Sequence, residues 1–141
     1  MENDSKKVLR NAWEVAFNNR DGSSFINLHS EDVTFHDPTF PKPIHGREEL
    51  GGWFGDLFRM FPDCKMEVTK IYELGDWVCA ECVESGTMKG AIRHPGGEIP
   101  PTGKRYRITN VLVCKVEAGE ISEVRGFYDA IDLMGQLGLK P

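Results

Sequence analysis

Residues 104–128 read KRYRITNVLVCKVEAGEISEVRGFY, two long alternating runs hinged on Ala118-Gly119. Alternation of apolar and polar residues over that length marks strands with one buried face. The short glycine-containing link makes the two a hairpin. Pairing Glu117 with Glu120 sets Val116 opposite Ile121, Cys114 opposite Glu123 and Leu112 opposite Arg125. The same register sets Asn110 opposite Phe127 and Ile108 opposite Asp129, so Ile108, Asn110, Phe127 and Asp129 share a face. A slip of one residue would turn that set over.

Working outward, strand-like periods reach back to Met66. Lys65–Glu73 and Trp77–Lys89 form two strands around a Gly75-Asp76 turn, and His94–Gly103 is a loop by its Pro and Gly density. Before residue 63 the periods are helical. Val8, Leu9, Ala12, Trp13, Ala16 and Phe17 share one face of a helix over Ser5–Asn19. A short segment, Ser24–His29, turns Phe25 and Leu28 inward. Asp32–Pro38 is extended, since Pro38 biases Asp37 away from helix. Arg47–Phe61 is a helix with an aromatic stripe ended by Pro62, and Gly51-Gly52 inside it marks close helix–sheet packing or room for a ligand. Ala130–Leu139 is a last short helix closing at Gly138. Helices followed by a run of long antiparallel strands give an α+β domain spanning residues 1–141. A curved sheet with helices on one side encloses a cone-shaped hollow, a natural ligand pocket.

The charge balance narrows the function. Seventeen Lys and Arg against 22 Asp and Glu give a net charge of −5, the opposite of a nucleic-acid-binding surface. No apolar run reaches the roughly 18 residues of a membrane span. The first residues enter an amphipathic pattern with no secretory segment before it, so a cytoplasmic domain is expected. The histidines lack the spacing of a helical zinc motif, and no P-loop or nucleophile elbow is present. Cys79 and Cys82 lie three apart on a strand, so their side chains point to opposite faces; with Cys64 and Cys114 they read as inert strand thiols.

Two carboxylates stand out by context. Asp37 lies between Phe35-His36 and Pro38; Asp129 follows Phe127-Tyr128 at the end of the last strand. A carboxyl walled by aromatics holds its proton to higher pH and suits acid–base work. Each also has a structural reading: Asp37 as a turn-former, Asp129 as a helix N-cap. His36 is a third candidate because it adjoins Asp37, although neighbours on a strand point oppositely. His29 and His94 are expected to face solvent, and Asp56, Asp63 and Glu48-Glu49 to be solvated charges.

At these residues the chain resembles a known family. It has a helix bearing Trp13, the segment Asp32–Pro38, and Gly46 before an aromatic helix ending Phe61-Pro62-Asp63. Pro101-Thr102-Gly103-Lys104 then precedes a strand, followed by Gly119-Glu120-Ile121 and Tyr128-Asp129-Ala130-Ile131-Asp132-Leu133-Met134-Gly135-Gln136-Leu137-Gly138. This order is similar to the SnoaL-like polyketide cyclases of the NTF2-like superfamily. The resemblance implies a cone-shaped α+β barrel, a homodimer formed through the sheet, and no cofactor. It also implies an intramolecular aldol ring closure with Asp129 as acid/base. Asp37 matches the base position of ketosteroid isomerase, a related fold. The isomerase's oxyanion donors, a tyrosine on helix one and an acid mid-sheet, are not matched, because helix one offers Trp13 and Phe17 and the strand offers Asn110. Val124-Arg125 also stands where many relatives have a tryptophan.

The expected function is therefore a cofactor-independent acid/base enzyme acting on a small apolar carbonyl compound. Asp129, with Asp37 and His36, would move protons, and Asn110 would meet the developing enolate. Trp13, Phe17, Trp53, Phe58 and Phe127 would enclose the substrate. A non-catalytic ligand-binding or dimerisation module is one alternative. Another is an epoxide or ester hydrolase using Asp37, Asp129, Asn110 and Arg125 around a water.

Overall fold

The computed structural model describes residues 4–140; Met1–Asn3, where the N-terminal reading begins, and Pro141 lie outside the described residues. Helix α1 (Asp4–Arg10) runs into a π-helical stretch, Asn11–Ala16, where a single regular helix to Asn19 was expected. The wider winding still buries Leu9, Ala12, Trp13, Ala16 and Phe17 on one side. π-Helical turns recur where a helix must re-aim side chains toward a site. Helix α2 (Gly22–Asn27) is N-capped by Asp21, which accepts from the Ser24 N–H at 3.1 Å. Strand β1 (His29–His36) and the two-residue β2 (Ile44–His45) lead into α3 (Gly46–Met60).

The aromatic stripe of α3 packs inward against the first helices. Phe54 meets Phe25 with ring centroids 4.6 Å apart, and Phe58 meets Phe17 at 5.0 Å. A side chain at Gly51 would approach Ile26 Cδ1 to 3.0 Å, so this glycine serves the packing of α3 on α2, not on the sheet. Gly52 has open space beside it.

Four long strands follow: β3 (Lys65–Leu74), β4 (Trp77–Thr87), β7 (Arg105–Glu117) and β8 (Glu120–Phe127). Between β4 and β7 a small separate hairpin, β5 (Ile92–His94) with β6 (Gly97–Ile99), orders part of the expected loop. Helix α4 (Ala130–Leu137) closes the chain and stops at Gly138, whose φ of +76° favours glycine. The main sheet has the order β2-β1-β8-β7-β4-β3, parallel between β1 and β8 and antiparallel elsewhere. Its register shifts within β3–β4 and β7–β8 are the irregularities that let a sheet curve. The helices lie in the concave side.

One bulge changes the site. Glu117 pairs with Glu120 and Val116 with Ile121, as expected, but Lys115 pairs with Glu123, so Ser122 is an extra residue on β8. From there on the register moves by one. Leu112 faces Gly126 and Val111 faces Phe127. Asn110 keeps its inward position and is buried, whereas Phe127 turns to the convex side and is 53% exposed.

His29 is also placed differently from expectation: it is fully buried. Its Nε2 accepts from the Trp13 indole N–H at 3.2 Å and its Nδ1 lies 2.7 Å from the Phe25 carbonyl. That arrangement needs a neutral ring, and burial lowers its pKa from 6.5 to about 4. Below pH 6.5 the unfolded chain takes up a proton that the folded protein refuses until about pH 4. Stability is thus intact above pH 6.5 and declines toward pH 4, by about 3 kcal/mol in total. Urea denaturation of the protein and of His29→Gln across this range should differ by this acid-side loss, present only in the former. His94 is exposed, as expected.

The cysteines also follow the strand geometry. Cys64, Cys82 and Cys114 are buried and Cys79 is half-buried; all four are free thiols. Desolvation pushes Cys82 up to about 12, which leaves it an unreactive thiol at neutral pH.

Candidate active site

Alternation along the strands decides which side chains enter the hollow. On β1, Val33 and Phe35 point inward, and Asp37 continues the same phase just past the strand end. On β4 the inward set is Val78, Ala80, Cys82 and then Glu84; on β7 it includes Tyr106, Ile108, Asn110 and Leu112. Gly126 and Tyr128 come from the end of β8. Of these, Phe35, Asp37, Glu84, Tyr106, Asn110, Leu112, Gly126 and Tyr128 line a hollow of about 310 Å³. Trp13 and Phe17 from the first helix, Trp53 and Leu57 from α3, and Leu133 and Leu137 from α4 supply apolar walls. Ile92 and Ile99 of the small hairpin border it as well. Among the described residues, no lysine, arginine or histidine lines it.

The polar groups fall into two clusters. In the first, Asp37 Oδ1 accepts the Tyr128 hydroxyl at 2.8 Å, the Thr39 hydroxyl at 2.8 Å and the Thr39 N–H at 2.9 Å. Burial, and then the Asp37 charge beside it, keep the Tyr128 phenol protonated to well above its usual range.

In the second cluster, Glu84 accepts from both sides. The Tyr106 hydroxyl donates to Oε2 at 2.6 Å and Asn110 Nδ2 donates to Oε1 at 2.9 Å. Tyr106 also lies 3.4 Å from Cys64 Sγ. Glu84 is half-buried and lines the hollow among mostly apolar side chains. Desolvation raises its pKa; the two donated hydrogen bonds oppose this, and the charge of Asp37 adds to it. The charge of Asp37 is thus felt at Glu84, and both carboxyls line a single apolar cavity.

The sequence-derived candidates divide between this cavity and its outside. Asp37, Asn110, Trp13, Phe17 and Trp53 line it. Asp129 does not: it is exposed, and its Oδ1 caps α4 by accepting from the Asp132 N–H at 2.9 Å. Residue 129 lies beyond the Ser122 bulge and outside the strand, so the register that brought it onto the face of Asn110 does not exist. Phe127 leaves the cavity for the same reason. His36 sits between inward Phe35 and inward Asp37 and pairs with Arg125 on β8, on the other face. Phe58 backs Phe17 and carries the Arg20 guanidinium over its ring at 4.2 Å, without reaching the hollow. Arg125 is exposed and ion-paired with Glu123 on the convex face.

Of the expected solvated charges, Asp56 reaches the cavity edge while bound to Arg59 at 2.8 Å. Asp63 is exposed and ties down the end of β4 through the Thr87 N–H and hydroxyl, both at 2.7 Å; desolvation raises its pKa, but these bonds, with the Arg105 charge, outweigh it and hold the pKa below the usual aspartate value.

Glu84, Tyr106 and Tyr128 were missed as site residues, yet each continues an inward phase that the sequence carries. Glu84 follows Val78, Ala80 and Cys82 at intervals of two, and Tyr106 precedes Ile108 and Asn110 likewise. The mid-sheet acid sought on the strand of Asn110 stands on the adjacent strand: Asn110 pairs with Cys82, one inward step from Glu84.

Known proteins share this architecture. IdmH of Streptomyces antibioticus, a candidate polyketide cyclase, is 27% identical, with 97% of this chain and 100% of that one covered and a TM-score of 0.77. A protein of ketosteroid isomerase-like fold from Catenulispora acidiphila, solved in complex with trimethylamine, is 23% identical over 94% of this chain and 93% of that one, also with a TM-score of 0.77. An LEH-like epoxide hydrolase of M. tuberculosis is 16% identical over 95% of this chain and 89% of that one, with a TM-score of 0.73. Among curated proteins none matches. A family profile covers residues 7–137, nearly the whole cone of helices and sheet around the cavity. By that match the chain belongs to the SnoaL-like polyketide cyclase family.

Proposed function

We propose that the protein is an acid/base enzyme that enolises an apolar carbonyl compound and closes a ring by intramolecular aldol addition, using its own side chains. The observation that carries this reading is the pairing of Asp37 and Glu84 in one apolar hollow, with different hydrogen-bonding surroundings. All three hydrogen bonds that Asp37 accepts fall on Oδ1, leaving Oδ2 for a substrate proton. Asp37 removes the proton α to the carbonyl, and the electron pair of that C–H bond moves toward the carbonyl oxygen. In this reading Glu84 is the acid that protonates that oxygen: desolvation, which raises its pKa, favours the role, and Tyr106 and Asn110 hold the carboxyl in place. The enol carbon then attacks the second carbonyl of the same molecule. A new C–C bond forms, the enol proton returns to Glu84, and the proton held by Asp37 passes to the new alkoxide. Base and acid end as they began.

A simple test uses α-tetralone in deuterium oxide, with exchange of its α-protons followed by NMR. Enolisation catalysed by the protein supports the reading, and exchange at the buffer rate argues for a non-catalytic binding module. The cap role of Asp129 sets a control. Asp129→Ala should lose about 1 kcal/mol of stability in urea while its exchange rate stays within about twofold, less than a lost acid/base group causes. The hydrolase reading has less support, because Asp129 and Arg125 lie outside the cavity that holds Asp37 and Asn110.

The same reading makes the partner a small apolar molecule. The neighbour that holds trimethylamine supports small-ligand binding in this fold. A homodimer through the convex sheet face fits exposed Phe127 beside half-buried Val111 and Val113. No described helix is long and apolar enough to cross a membrane. A reducing, cytoplasmic setting accords with four free thiols.

A further inference from the structure

Asn110 holds an unused acceptor at the cavity wall. The residue is only 6% exposed, and its Oδ1 is buried with no hydrogen-bond partner. A buried acceptor left unpaired is costly, and most such groups in folded proteins have a partner. Its amide is held in this sense by the Nδ2 donation to Glu84 Oε1, which leaves Oδ1 turned away from Glu84.

Gly126 shows where Oδ1 points. A Cβ built on Gly126 would lie 3.6 Å from Asn110 Oδ1, 3.7 Å from the His36 carbonyl oxygen and 3.8 Å from Leu112 Cδ2. Gly126 itself borders the cavity. The missing side chain thus leaves a methyl-sized recess whose rim carries two oxygen acceptors. Donors nearby are already committed: Tyr128 and Thr39 to Asp37, Tyr106 and Asn110 Nδ2 to Glu84.

We infer that the recess beside Gly126 is a hydroxyl-reading subsite, in which Asn110 Oδ1 accepts a hydrogen bond from an enol or phenol hydroxyl of the ligand. The inference builds on the proposed reading, since Asn110 also touches the acid that would protonate the substrate oxygen. Because one amide bridges both points, the hydroxyl and the reacting carbonyl lie on neighbouring positions of one ligand.

The test compares β-naphthol with its methyl ether, which keeps the rings and removes the donor. Binding is followed through the fluorescence of the cavity tryptophans. The protein should bind the naphthol about tenfold more tightly than the ether, the effect of one hydrogen bond to a buried acceptor. Gly126→Ala, whose new methyl meets only ordinary contacts, should fold and bring the ratio to near one. Asn110→Leu should do the same if it folds. Asp37→Asn, which disables the proposed base, should keep the preference, so the subsite and the catalytic reading stand or fall separately. Equal binding of the two probes by the unaltered protein, or a preference that survives in Gly126→Ala, would overturn the subsite. Tighter binding of the ether would mean that the amide presents a donor there, and would overturn it too.

Discussion

Replacing Glu84 with glutamine should lower the rate of α-proton exchange by about 100- to 10,000-fold, the range for loss of a positioned general acid. In barrier terms this is about 3–5 kcal/mol. The shape of the site survives the change. The substituted side chain would keep an oxygen to accept from Tyr106, and Asn110 could turn its amide to offer the vacant Oδ1 to the new amide group. What disappears is the proton that Glu84 presents to a carbonyl oxygen. Stability should move the other way. A folded-state pKa above 4.5 means that, as pH rises, the unfolded chain releases this proton before the folded one does. Folding stability contributed by this group therefore falls as pH rises past 4.5. Glu84→Gln removes that penalty and should raise the urea midpoint at pH 8 relative to pH 4. A variant that is less active yet more stable at alkaline pH is the signature of an acid kept protonated for chemistry.

Asp37→Asn should produce the second large loss, again about 100-fold or more in exchange rate. Asparagine retains an oxygen that can accept from Tyr128 and Thr39, so the turn at Thr39 persists and stability changes little. It cannot take up the substrate proton. Binding of a neutral apolar ligand should be nearly unchanged, which separates loss of the base from loss of the pocket. With the Asp37 charge gone, Glu84 also loses a neighbour that raises its pKa, so the carboxyl should titrate lower in this variant. That coupling is measurable whether or not the natural substrate is known, and a Glu84 midpoint unmoved by Asp37→Asn would remove the basis for treating the two as one site.

The strand pattern carried most of this architecture. Alternation in β7 and β8 gave the hairpin, and the aromatic spacing in α3 gave the helix that roofs the cavity. Asp37 was legible because proline and an inward phenylalanine frame it. Asp129 is the N-cap that its structural reading expects; its expected place on the face of Asn110 fails because one bulged residue, Ser122, shifts the end of β8, and nothing in the local composition marks it. A bulge arises from the whole sheet's need to curve, so it leaves only a faint trace in one strand. Glu84 was legible in principle. Its phase with Ala80 and Cys82 puts it inward, but a glutamate in a long strand looks like a solvated charge until the hollow is known to lie beneath it. His29 was hidden similarly, because its partners, Trp13 and Phe25, come from two helices whose mutual packing no spacing reveals.

The acid/base chemistry turns on whether Glu84 carries a proton in the folded cavity. Carboxyl-labelled glutamate, followed by carbon NMR against pH with Glu84→Gln to identify the resonance, reads that state directly. The Glu84 signal should titrate with a midpoint clearly above 4.5, and the midpoint should fall in Asp37→Asn. A midpoint at or below 4.5 would show an ordinary carboxylate in solvent-like surroundings, and would contradict an acid/base role for the pair.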